Sequence, residues 1–179
     1  MQALLRFCRI VDGLNHKLGL VANWLVLISC VISAGNALIR YGFSTSSNAW
    51  LEIQWYLFAG IVMLGAAWTL KVNEHVRVDV FYSRYSERAR LWLDLVGGIV
   101  FLLPMTVVIG WLGWPMVVNS WAVGEVSSNA GGLLRWPVKV LVPIGFLLLS
   151  LQGLSEVIKR WAALTGRLDL DAHYERPVQ

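Results

Sequence analysis

The sequence predicts an all-α integral membrane protein of four transmembrane helices, and three observations carry that prediction. Of 179 residues, 57% are hydrophobic and only 15% are charged, where soluble domains carry about 25% charged residues. Four apolar runs approach or exceed the roughly 20 residues that a helix needs to cross about 30 Å of hydrocarbon. Lysine and arginine gather at the ends of those runs, where head groups and water can solvate them.

The first span is Leu18 to Ile39, 22 residues without a charge. It is long and is followed by no small-residue cleavage pattern, so it is expected to persist as a helix. Arg40 ends it. The polar stretch Ser44 to Asn48 cannot sit in lipid, because its backbone groups would lack partners, and Asn48 is a plausible N-cap for the next helix. The second span is Ile53 to Leu70, with Glu52 just before it and Lys71 just after. The third runs from about Leu91 to Val118. Pro104 and Pro115 should kink or unwind it, since proline lacks the N–H and crowds the preceding turn. The fourth runs from about Pro137 to Ile158. Residues 1–163 thus read as one four-helix membrane domain and 164–179 as a polar cytoplasmic tail.

Orientation follows from the basic residues. Twelve Lys and Arg lie in the N-terminal segment, in the loop after span two and in the tail, and only Arg40, Arg135 and Lys139 lie on the other side. The excess puts both termini in the cytoplasm. Trp50, Trp55, Trp114, Trp121 and Trp136 then mark the outer interface, and Trp68, Trp92 and Trp161 the inner one, a depth that suits an apolar ring with a polar edge. His75 to Tyr85 is too polar to span, and Val76, Val80, Phe81 and Tyr85 can share one face. It reads as a short interfacial helix, with Ser86 as the N-cap of span three.

Several functions are disfavoured. The net charge of +4 reflects residues placed for phospholipid and orientation, so no nucleic-acid partner is expected. Cys8 and Cys30 are far apart and form no CxxC, which argues against disulfide or redox work. His16, His75 and His173 all lie outside the spans, so haem ligation at membrane depth is not expected. Small antiporters need a carboxylate deep in a span, whereas Glu52, Asp94 and Glu156 all sit near span ends.

An ionisable residue near a span is still a functional candidate. Glu52 in the first turn of span two offsets the helix dipole or meets a partner chain. Asp94 lies four residues after Arg90 and Glu156 three and four residues before Lys159 and Arg160, spacings that allow pairs along one helix face. Arg77 and Asp79 cannot face each other on a helix, so they should pair with different groups, such as Arg90, Asp94 or another chain. Between spans three and four, Gly124, Gly131 and Gly132 allow tight turns, with Glu125, Asn129 and Arg135 nearby. Such a loop is a firm outer surface or a simple turn.

Glu52-Ile53-Gln54-Trp55-Tyr56, the run Glu74-His75-Val76-Arg77-Val78-Asp79, and Gly124-Glu125 with Arg135-Trp136-Pro137 carry a resemblance. In them the chain resembles the small membrane subunit, DctQ type, of tripartite ATP-independent periplasmic (TRAP) transporters, from about Leu14 to Ala163. The resemblance implies a non-catalytic scaffold subunit in the bacterial inner membrane. Its expected partners are a large 12-span membrane subunit and a periplasmic solute-binding protein. It implies sodium-coupled import of an organic acid or related solute, with no cofactor here and sodium held by the large subunit. It makes Glu52, Arg77, Asp79, Asp94, Glu125, Asn129 and Arg135 candidates for structural or partner contacts. The alternative reading is a self-sufficient small transporter or channel.

Overall fold

In the computed structural model, residues 2–45, 47–75, 82 and 84–168 are described. They form four long helices, and each is long and apolar enough to cross a membrane. Helix α1 is Gln2–Phe43, α2 is Asn48–Lys71, α3 is Glu87–Ala122 and α4 is Trp136–Leu164. Among the described residues the only β pairing is an isolated antiparallel bridge, Val126 to Leu134. Arg77 and Asp79, and most of the expected interfacial helix, lie outside the described residues.

The helix ends have local causes. Ser86 caps α3, its Oγ accepting from Ala89 N at 3.4 Å, as expected of a serine before a helical run. Asn48 is not a cap: Ser47 occupies that place without a side-chain bond, and Asn48 Nδ2 donates instead to Ala130 O at 3.3 Å. A loop across the bundle thus competes successfully for its amide. Beyond α1 and α2, Ser44 and Asn73 take positive φ, 53° and 62°, the left-handed turn that ends many helices.

Helix α3 contains a π-helical turn at Gly98–Leu102, where Leu103 N donates to Gly98 O. Pro104 follows at once. It has no N–H, and its ring crowds the carbonyl four residues back, so the chain widens there. The unwinding expected at Pro104 takes this form.

Helix α4 is the hub. It packs against all three other helices, α1 and α2 also pack on each other, and α3 leans on α4 without comparable packing on α1 or α2 among the described residues. Two close approaches depend on glycine. A Cβ on Gly145 of α4 would meet the Met63 backbone oxygen of α2 at 2.9 Å, and one on Gly19 of α1 would meet the Trp68 ring at 2.7 Å. Small residues let membrane helices approach closely, which is where dispersion contacts accumulate. On α1 the buried residues Cys8, Val11, Asn15, Gly19 and Ala22 form one seam, spaced three and four apart as a helix face requires.

No charged residue lies on α4 between Lys139 and Glu156. The 17 steps from one to the other rise about 26 Å, close to the hydrocarbon thickness of a bilayer. Charged side chains on the hub are therefore confined to two layers, one at each end.

Candidate functional site

The outer layer is built on one carboxylate. Glu52, in α2, is 2% exposed. Its oxygens accept from the Ser127 hydroxyl, from Asn129 Nδ2 at 2.8 Å and from Leu133 N at 2.8 Å. These donors all belong to the connection between α3 and α4. That connection is itself ordered: Ser127 N donates to Leu133 O at 2.9 Å, Arg135 N to Glu125 O at 2.8 Å and Gly132 N to Asn129 O at 2.9 Å. Tyr56 Oη donates to Leu134 O at 2.7 Å. The result is a tight strap held to α2. Trp121 and Trp136 meet edge to face at its base, with centroids 4.5 Å apart, a favoured aromatic geometry.

The other outer candidates are used within the strap. Glu125 is paired with Lys139 of α4. The Lys139 ammonium holds its carboxyl below the ordinary carboxylate range. A charge-assisted bond favours the ionised form. Arg135 reaches Ser127 Oγ at 3.4 Å and, with Glu52, Trp55, Tyr56, Ser127 and Val138, lines a cleft of about 90 Å³. Glu52 is thus neither a bare helix-start charge nor, in this chain, a free contact; it is satisfied internally. Neutral donors around an anion suit this depth, because an unpaired buried carboxylate would be costly.

The inner layer is ionic and joins three helices. Arg160 of α4 pairs with Glu156 and, through Nε at 3.1 Å, with Asp94 of α3. Asp94, which spacing alone set against Arg90, reaches across to α4, and it also accepts from Tyr82 Oη at 3.1 Å. Arg90 Nε donates to Tyr85 O at 3.0 Å. Lys159 pairs with Glu156 and, at 3.3 Å, with Asp12 of α1. The pairs expected between Glu156 and its two basic neighbours are present.

A buried amide relay extends this layer. Gln152 Nε2 donates to Asp12 at 2.9 Å and to Glu156 at 2.9 Å, so its Oε1 is left to accept from Asn15 Nδ2 at 2.8 Å. Gln152 and Asn15 are both fully buried. Asn15 Oδ1 then has no partner among the described residues, a cost of about 1–3 kcal/mol that the rest of the relay must outweigh. Halfway up the bundle, Ser150 Oγ bridges Thr106 Oγ1 at 2.8 Å.

The structure brings Glu52 and Asn129 together, sets Glu125 and Arg135 in the same strap, and places Asp94 at the opposite end. Sequence reasoning missed Ser127, Tyr56 and Lys139 in the strap, and Asp12, Asn15, Gln152 and Lys159 as members of one network. The contacts that join them across helices are as much as 147 positions apart. Polar residues on the seam of α1 were the available signal.

Comparison with known proteins gives a consistent answer. The family model for the DctQ component of tripartite ATP-independent periplasmic transporters matches residues 29–163. A Haemophilus influenzae protein, provisionally named a TRAP transporter small permease protein, is 24% identical over 122 residues, covering 67% of this chain and 74% of its own length. No solved structure matches.

Proposed function

The chain belongs to the DctQ component family of tripartite ATP-independent periplasmic transporters, and from this premise we propose that it is the non-catalytic scaffold subunit of a sodium-coupled importer of an organic acid or related solute. Membership makes it a transporter component and not an enzyme. It also brings partners in general terms, a large membrane subunit and a binding protein. The family match over three quarters of the chain is the observation that carries the proposal.

The distribution of charge supports it. Charged side chains sit in two end layers, and the hub between Lys139 and Glu156 carries none. A carrier needs a solvated or ion-binding site near mid-membrane; a scaffold needs firm ends and close-packed helices. In the proposed orientation both termini are cytoplasmic and the strap faces the periplasm of a bacterial inner membrane, which the basic residues favour. The strap, with Arg135 at its cleft, is proposed to help seat the binding protein.

Reconstitution tests the core of this reading. The chain alone in liposomes should give no sodium-driven uptake, whereas the chain with its large subunit and binding protein should. Uptake by the chain alone would overturn the scaffold role. Arg135→Glu should raise the binding-protein concentration needed for half-maximal uptake at low ionic strength, because exposed charges chiefly steer encounter. An unchanged concentration dependence would remove the strap from docking.

A further inference from the structure

Helix α3 is held to the hub in different ways on the two sides of its π-helical turn. Outward of the turn the contact is close. Thr106 Oγ1 accepts from Ser150 Oγ at 2.8 Å. A Cβ on Gly110 would meet Phe146 Cβ at 3.5 Å, and one on Gly113 would meet Pro143 Cδ at 3.3 Å. At the turn the approach is closer still. A Cβ on Gly98 would meet Val157 Cγ2 at 2.8 Å, and one on Gly153 would meet Leu102 at 3.0 Å. Inward of the turn a cavity of about 200 Å³ opens, lined by Leu93, Asp94 and Gly97 of α3, Glu156 and Arg160 of α4, and Leu70 of α2.

The turn is also where α3 is weakest along its own axis. Leu103 N is committed to Gly98 O, and Pro104 has no N–H. Ile99 O therefore lacks a main-chain donor in either the α or the π register. Two regular segments meet there with one bond fewer, which is where helices bend. The inner segment, Glu87–Gly97, packs on α4 and has no comparable packing on α1 or α2. Its Asp94 pairs with Arg160 Nε at 3.1 Å, and that pair joins the two walls of the cavity.

We propose that the π-helical turn is a hinge on which Glu87–Gly97 swings over the cavity, and that the Asp94–Arg160 pair is its latch. The close contacts at Gly98 and Leu102 form the pivot, and the cavity gives the arm room. The 11 steps from Gly98 to Glu87 rise about 16 Å. A change of about 20° in the bend, the scale of kinks at such turns, carries Glu87 about 5 Å. The outer segment stays in place, because its glycines and Thr106 lie directly on α4. A scaffold built this way yields at its inner end while the strap stays fixed.

Double electron–electron resonance on the spin-labelled full chain in lipid nanodiscs tests the hinge without any transport measurement. Cys8→Ser and Cys30→Ser give the background. One label pair joins the arm to α1, Arg88→Cys with Ile10→Cys, and a reference pair joins the outer segment to α1, Trp111→Cys with Leu38→Cys; all four positions are exposed. The arm pair should give a distance distribution about twice as wide as the reference pair. Pro104→Ala restores the missing N–H and should narrow the arm pair to the reference width. Asp94→Asn should widen the arm pair and leave the reference pair unchanged, and it keeps the test decisive if Pro104→Ala lowers yield. Equal widths for the two pairs, an arm pair that Pro104→Ala leaves wide, or an arm pair unmoved by Asp94→Asn would each overturn the hinge and make the turn a rigid packing feature. Widening of both pairs by Asp94→Asn would mean general loosening and would also overturn it.

Discussion

The outer strap and the inner ionic layer stabilise the same four helices in different ways. The strap surrounds one anion, Glu52, with neutral donors from a single connection. The inner layer sets three acidic and two basic side chains against each other across α1, α3 and α4. The first arrangement fixes the shape of a loop. The second fixes where helices stand. Because replacing Glu52 leaves only neutral donors behind, while removing one member of an ion pair leaves its partner charged, damage at the two ends should differ in both size and reach.

The largest effect should come from Arg160→Ala. It leaves Glu156 and Asp94 without their shared partner, and unfolding in detergent should show a loss of about 3 kcal/mol. Loss should be smaller in the double variant with Glu156→Ala than the two single losses added, and strict additivity would deny the network. Next is Gln152→Leu, which strips a donor from both Asp12 and Glu156 and an acceptor from Asn15. A global cost of about 1–2 kcal/mol is expected. Glu52→Gln should act locally. Hydrogen exchange at 126–134 should accelerate roughly tenfold or more while the helix core keeps its melting temperature. A core as weakened as in Arg160→Ala would erase the distinction between the two ends.

The smallest effect concerns pH. The carboxyl of Glu125 is held low by Lys139, so its contribution is fully present above the ordinary carboxylate value and is lost as pH falls through the lowered one. Strap protection should stay flat from pH 7 to about 5 and fall below about 4. Lys139→Gln should remove most of Glu125's part of that dependence. The pair is partly exposed, and salt should weaken it.

The four spans were legible because lipid imposes a simple rule on long apolar runs. Ser86 and Pro104 were legible for local reasons, one hydroxyl before a helix and one missing N–H inside it. The two polar layers were not. Glu52 was visible as an acid at a helix start, but its partners lie 75 to 81 positions away. Asp12 and Lys159 are 147 positions apart, and nothing local tells either residue to look for the other. Gln152 could be read as helix glue, yet its particular role follows only from the two carboxylates beside it.

The placement of α4 also has a consequence for biosynthesis. The helix that touches all the others leaves the ribosome after the other three. Helices α1 and α2 can pair as soon as both are inserted, but α3 has no comparable neighbour until α4 arrives. A nascent chain stopped after Ala122 would hold one helical hairpin and one unattached span, with Asp12 and Asp94 still waiting for Lys159 and Arg160. Synthesis of α4 thus turns loose segments into one body, and messages truncated before it should yield a product that quality-control proteases remove.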